Sequence, residues 1–205
     1  PLYSSAASDV YKRQHVVIRD EQGEVVAHGE GQKGKIIINN AHLWGPGAAY
    51  LYQFDITYGE NSAENTDHYT LPFGVRTIEV TEKEFKINGK RFYFKGFGKH
   101  EDSDIRGKGL DQALNVRDAE LLKWMGANSF RTSHYPYSEE MMQLADRQGF
   151  VIIDEVPAVG MNMFMPGAPD IFTKERVNEK TLEHHKTVLL SLIHISEPTR
   201  PEPIS

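Results

Sequence analysis

Seven consecutive residues bring together Arg131, Ser133, His134, Tyr135 and Tyr137, inside the stretch SFRTSHYPY that runs from Ser129 to Tyr137. Two more polar sets stand apart along the chain: His100, Glu101 and Asp102, then Asp154 and Glu155. An imidazole can donate, accept or carry a proton near neutral pH, and a carboxylate can act as general acid or base. A guanidinium offers a fixed fork of donors. These residue types therefore suit a site that positions a polar molecule and moves protons. A metal site is the rival chemistry, because His100, His134, Asp154 and Glu155 are usable ligands. No HxH, HExxH or calcium-loop spacing occurs, so no metal is expected. No cofactor is expected either. Nothing matches a phosphate loop or a nucleophile elbow, and GFG at Gly96 to Gly98 is too short for a dinucleotide fingerprint. His184 and His185 read as a solvated pair on a helical face.

The elements that must hold these groups follow from local pattern. Period-two alternation sends Phe130 and Thr132 to one face of a strand and Arg131 and Ser133 to the other. Pro136, lacking an N–H, ends that strand. SEEMMQLADRQG then predicts a helix. Ser138 is its N-cap, Glu139 and Glu140 suit the positive end, Met141, Met142, Leu144 and Ala145 supply apolar cover, and Gly149 closes it. FVIIDEVP follows as a strand that ends in two acids. Upstream, Asn88-Gly89 between two apolar runs predicts a hairpin whose second run ends at His100. GKGLDQALNVRDAELLKWMGA predicts an amphipathic helix with Leu114, Leu121, Leu122 and Met125 on its apolar side and Gly126 at its end. Three strands thus alternate with two helices, and polar groups gather at each strand's carboxyl end, where parallel α/β folds keep their chemistry. Met161 to Asp170 reads as a long loop and Thr173 to Leu189 as a third helix.

The earlier half has a different rhythm. HVVIRDEQGEVVAHGEG predicts two strands around a turn at Asp20 to Gly23, and Ile36 to Ile38 predicts another strand. Tyr50, Tyr52, Phe54 and Ile56 alternate on one face of the next, and HYTLPFGVRTIEV gives a further pair. Short strands about ten residues apart suggest the later part of a β-sandwich. The 205 residues carry a formal charge of −6 and 39% hydrophobic residues, ordinary for one domain or pieces of two. This acidity argues against nucleic acid as a partner. There is no cysteine, hence no disulfide framework, and no apolar run long enough to cross a membrane. The start lacks the order of a signal peptide.

The two ends look foreign. Asp9 to Gln14, DVYKRQ, can be encoded GAT GTG TAT AAG AGA CAG, and the reverse complement of that DNA translates as LSLIHI, which is Leu190 to Ile195. The wider segments Ser4 to Gln14 and Leu190 to Arg200 resemble translated transposon-type sequencing adapters. Residues 1–14 and 190–205 are therefore set apart as non-native and expected to pack on nothing specific, with Leu190 to Ile195 able to extend a helix or strand locally. The remainder divides into 15–76 and 77–189.

FYFKGFGKHEDSDIRGKGLD and GANSFRTSHYPYSEEMMQLADRQGFVIIDEVPAVG resemble glycoside hydrolase family 2, and EDSDIRGKGLD favours its bacterial β-glucuronidase branch. The resemblance implies a partial immunoglobulin-like β-sandwich at 15–76 and the first part of a (β/α)8 barrel at 77–189. It implies a fragment of a retaining hydrolase of β-D-glucuronides, cytoplasmic in a bacterium and homo-oligomeric as a whole enzyme. His100 and His134 match histidines that face the sugar, and Arg131 matches a strand arginine that braces the site. The family's two catalytic glutamates match no position here. Asn178-Glu179 lacks the following proline of the family's acid/base motif. The chain alone is accordingly expected to be inactive. The region from Met161 to Thr173 matches one that shapes access to the pocket. Two alternatives stay open: a β-galactosidase-like member of the same family, and a non-catalytic carbohydrate-binding module.

Overall fold

The computed structural model describes residues 14–31, 33–59, 66–157, 166–167 and 173–196. Apart from residues 166–167, the loop expected over Met161 to Asp170 lies outside the described residues, as do most of the terminal segments. Two compact units divide after Phe92, Pro1–Phe92 and Tyr93–Ser205. The sequence reading places its domain boundary at 76/77, upstream of a short three-stranded sheet that belongs to the first unit.

In the first unit, β1 (Gln14–Arg19), β2 (Val25–Glu30), β3 (Tyr52–Gly59) and β4 (Thr66–Phe73) form an antiparallel sheet in the order β2-β1-β3-β4. Val16, Ile18 and Tyr52 are its buried centre, with Ile36, Ile38, Tyr50, Phe54, Phe73 and Val75 packed against them. The opposite face is polar. There Asp55 accepts Arg19 Nε at 3.0 Å and Thr70 Oγ1 at 2.8 Å. The strand expected at Ile36 to Ile38 does not form. Its segment lies over the sheet instead, with Ile36 Cδ1 within 2.9 Å of where a Cβ on Gly29 would be. Apolar side chains drove that expectation, and they are satisfied by covering a face as well as by joining a ladder.

The second sheet of this unit is β5 (Ile78–Val80), β6 (Phe85–Ile87) and β7 (Lys90–Phe92), in that order and antiparallel. Asn88 and Gly89 have φ of 52° and 72°, the left-handed pair that a two-residue hairpin requires. Asn88 also ties its surroundings together, since its Nδ2 donates to Trp44 O at 2.9 Å and its Oδ1 accepts from Thr77 N at 3.0 Å.

In the second unit, β8 (Gly96–Lys99), β9 (Ser129–Thr132) and β10 (Val151–Ile153) form a parallel sheet with β9 in the middle. The hairpin's second run therefore does not continue to His100: it breaks between Phe92 and Gly96. Asn128 explains the break. Its Oδ1 accepts Lys95 N at 2.8 Å and its Nδ2 donates to Tyr93 O at 2.9 Å, so these backbone groups are taken before a ladder can use them. Helix α1 (Gln112–Trp124) links β8 to β9, α2 (Glu139–Gln148) links β9 to β10, and α3 (Glu179–Ser196) follows.

Helix α2 forms as its sequence predicts. Ser138 accepts Met141 N, Gly149 closes in the left-handed conformation, and Met141, Met142, Leu144 and Ala145 are buried. Helix α1 differs. Asp111 caps it, and the face it buries is Asn115, Ala119 and Leu122, whereas Leu121 and Met125 are 43% and 54% exposed. Leu121 and Leu122 lie about 100° apart, so one core-facing stripe cannot cover both fully.

The two terminal expectations need one correction. Gln14 is not unpacked: it opens β1 opposite Tyr58, and its carbonyl accepts Gly31 N at 2.9 Å. Leu190 to Ser196 continue α3, the local extension that the sequence allows. Both are backbone events that depend little on side-chain identity, since a ladder or a helix propagates from residues already in place.

The reassigned face of α1 makes a measurable distinction. Leu122→Ala removes a side chain only 2% exposed, and should lower unfolding free energy by about 2–5 kcal/mol. Leu121→Ala should change it by no more than about 0.5 kcal/mol. Denaturant midpoints of the two variants, measured side by side, decide between the faces, and equal losses would reject this packing.

Candidate functional site

The site is built at the carboxyl ends of the three parallel strands. β8 delivers Lys99 and then His100; β9 delivers Arg131 and, just beyond its end, Ser133 and His134; β10 delivers Asp154 and Glu155. Close pairing of β8 with β9 sets the spacing. A Cβ on Gly96 would lie 1.8 Å from the Ser129 carbonyl oxygen, so the backbone approach requires glycine there, and one on Gly98 would lie 2.3 Å from Ser133 Oγ and force that hydroxyl to move. The GFG segment thus has a packing role.

His100 and His134 meet edge to face with ring centroids 5.6 Å apart, and Tyr135 stands 6.2 Å from His100. Both imidazoles are open to solvent, at 56% and 42% of the side chain. His100 Nδ1 lies 3.7 Å from Asp102 Oδ1. Arg131 donates through Nη2 to Ser133 Oγ at 3.0 Å, and its Nη1 lies 3.2 Å from Glu155 Oε1. Glu155 Oε2 is 3.8 Å from His134 Nδ1. All three residues singled out from the sequence, His100, Arg131 and His134, therefore fall in one cluster.

Other polar residues hold the cluster in place. Lys99, 8% exposed, pairs with Asp118 of α1 at 2.9 Å and donates to His100 O at 2.9 Å. Tyr137 hydroxyl donates to Lys99 O, and burial pushes its phenol up from the ordinary range. Glu101 is occupied at the start of α2, where it accepts Ser138 N at 3.0 Å and the Ser138 hydroxyl. Tyr135 hydroxyl accepts Glu101 N at 3.2 Å, while Lys108 Nζ sits 3.6 Å above the Tyr135 ring. Apart from the Lys99 contact with the adjacent His100 carbonyl, none of these links is visible in sequence, because their partners are 19 to 38 residues apart.

Asp154 does not join a metal set with the histidines. Its Oδ1 accepts Thr132 Oγ1 at 2.7 Å and Glu155 N at 3.0 Å. Among the described residues no group of three His, Cys, Asp or Glu side chains could hold a metal ion. Burial raises the Asp154 carboxyl above the ordinary aspartate range. The hydrogen bonds from Thr132 and from the Glu155 amide pull it back down, and the Glu155 charge pushes it up again. Thr132→Val removes one of the lowering contributions at nearly constant shape. The Asp154 midpoint, followed by carboxyl carbon NMR, should therefore move further upward. A downward shift, or none, would remove Thr132 from this role.

Comparisons with known proteins agree across the whole described chain. Residues 78–197 match the profile described as "Glycosyl hydrolases family 2, TIM barrel domain", and residues 2–76 match "Glycosyl hydrolases family 2". Both matches run into the end segments that resemble adapter translations. A β-glucuronidase of Paenibacillus borealis is 52% identical over 191 residues, covering 93% of this chain and 32% of the relative. The solved β-D-glucuronidase of Dictyoglomus thermophilum superposes with a TM-score of 0.81 at 52% identity, over 88% of this chain and 31% of that one. A Bifidobacterium dentium β-glucuronidase solved with coumarin-3-O-glucuronide gives 0.68 at 51% identity, over 72% and 25%. The chain thus spans about a third of the length of the relatives it matches. With more than half of its residues under one family profile, and half of its sequence shared with members of that family, the chain belongs to glycosyl hydrolase family 2.

Proposed function

We propose that this chain is a segment of a retaining β-glucuronidase and carries one wall of its sugar pocket. The observation that carries the reading is the likeness to β-glucuronidases over nine-tenths of the chain. The finer architecture follows from the same reading. Residues 15–76 are part of an immunoglobulin-like sandwich, and 77–189 are the opening strands and helices of a (β/α)8 barrel, whose mouth lies at the strands' carboxyl ends. No helix among the described residues is long and apolar enough to cross a membrane, and a glucuronide is the substrate class the reading implies.

Retaining cleavage needs one carboxylate to attack the anomeric carbon and a carboxylic acid to protonate the leaving oxygen, the two about 5 Å apart. Glu101 is engaged at the start of α2, Asp154 by Thr132, and Glu155 by Arg131 and His134. None of these three acids, nor Asp102, matches either catalytic glutamate of the family. The residues in this chain instead hold the sugar: His100 and His134 offer ring nitrogens to hydroxyl groups, and Arg131 stiffens the wall behind them. The catalytic glutamates come from strands other than β8 to β10. A glucuronide also needs a cationic partner for its carboxylate, and that partner too belongs to other strands.

Two assays test this. The 205-residue chain should leave p-nitrophenyl β-D-glucuronide intact, while a full-length enzyme containing it should release product with retained anomeric configuration and no sensitivity to chelator. Turnover by the purified chain would mean that its acids have been misassigned. In the full-length enzyme His134→Ala should reduce kcat/KM by the equivalent of about 1–3 kcal/mol, the loss of one hydrogen bond in a pocket, with the fold intact by circular dichroism. Unchanged kinetics would make His134 a structural residue.

A further inference from the structure

We propose that Glu155 is a positioning residue, which orients the His134 imidazole and the Arg131 guanidinium with one carboxylate. The proposal rests on reading His134 as a sugar contact. The two oxygens divide the work: Oε1 lies 3.2 Å from Arg131 Nη1, and Oε2 lies 3.8 Å from His134 Nδ1. The first is a close ion pair. The second is longer than a hydrogen bond and acts as a Coulombic contact, of the kind that tightens when substrate closes a site.

Glu155 is well placed for this because its own backbone cannot drift. Its amide N donates to Thr132 Oγ1 at 2.9 Å and to Asp154 Oδ1 at 3.0 Å, and Thr132 is fully buried. The start of the side chain is thus fixed to β9, the strand that leads to both of its partners. Arg131 is held from two sides, by Glu155 through Nη1 and by Ser133 through Nη2. Its guanidinium works as a fixed post beside the imidazole.

The consequence for His134 concerns its tautomer. Which ring nitrogen carries the proton is set by what the other nitrogen faces. A carboxylate on the Nδ1 side favours the proton there. Nε2 is then left unprotonated and able to accept from a sugar hydroxyl. Asp154 holds a different position: its Oδ1 is taken by Thr132 and the Glu155 amide, whereas it is the Glu155 oxygens that lie against Arg131 and His134. The adjacent acids of β10 therefore have different tasks, one structural and one orienting.

The test uses a full-length enzyme that carries residues 78–189 of this chain, labelled with 15N-histidine, and the variants Glu155→Ala, Glu155→Gln and Glu155→Asp. In the unmodified enzyme the His134 nitrogen shifts should report the Nδ1–H form. In Glu155→Ala they should move toward Nε2–H, and kcat/KM for p-nitrophenyl β-D-glucuronide should fall about ten- to a hundredfold, mainly through KM. Glu155→Gln, nearly the same shape without the charge, should fall in the same direction, which guards against a folding defect in the alanine variant. Glu155→Asp should recover part of both readouts. A kinetic loss with unmoved nitrogen shifts would reduce Glu155 to a structural residue and overturn the proposal, as would unchanged shifts and kinetics together. If the enzyme hydrolyses no glucuronide while the His134 tautomer still follows residue 155, the orienting role stands and the activity reading falls.

Discussion

Everything at the site depends on how closely β8 lies against β9. A side chain at position 96 would collide with the Ser129 carbonyl, which only glycine avoids, and one at position 98 would displace the Ser133 hydroxyl. That approach brings the ends of two parallel strands near enough for His100 and His134 to meet edge to face. With the strands farther apart, the rings would part and Tyr137 could no longer reach the Lys99 carbonyl. Glycine in a strand has an entropic cost of roughly 0.5–1 kcal/mol relative to alanine. Two of them in a four-residue strand are tolerable only because the contact they permit fixes the geometry of the strand ends.

Polar groups hold this arrangement more than apolar ones do. The apolar cluster of Phe130, Leu122, Met141 and Phe150 sits below, between the sheet and its helices. Above it, Lys99 pairs with Asp118, Thr132 with Asp154, and Arg131 with Glu155. Buried or half-buried pairs of this kind add little net stability, because desolvation offsets most of the attraction. What they supply is direction, since each joins one strand end to another element at a set distance. Asp154 shows the cost. Its carboxyl is raised in the folded protein, so its contribution to stability is present at low pH and is lost as pH climbs through the folded value.

Much of this was legible in the sequence, and the exceptions share a physical cause. Helix α2 was readable end to end, because Ser138 and Gly149 are local signals and its apolar stripe has no competing face. The Asn88-Gly89 turn was readable for the same reason. So was the convergence of His100, Arg131 and His134, which follows once three strands run parallel. The buried face of α1 was not, because adjacent leucines at 121 and 122 satisfy the helical period equally well and only the neighbour decides between them. The break at Tyr93 to Lys95 was hidden because the residue that causes it, Asn128, lies more than thirty positions away. Glu101 and Glu155 looked alike as strand-end acids, and only tertiary contacts separate a helix-start ligand from an orienting carboxylate.

The alternation along β9 separates stability from function within four residues. Phe130 and Thr132 face the interior and are essentially unexposed, while Arg131, on the opposite parity, points toward Glu155 and Ser133. A substitution at an even position must therefore act first through packing or through the Thr132 anchor of β10. One at Arg131 acts first on the site, since that side chain is 42% exposed and fills no core space. Thr132 crosses this division: its methyl and backbone belong to the interior, while its hydroxyl fixes both Asp154 and the Glu155 amide. Damage to Thr132 would therefore reach the imidazole by way of β10. The route is fully specified by contacts: Thr132 to the Glu155 amide, then Glu155 carboxylate to His134.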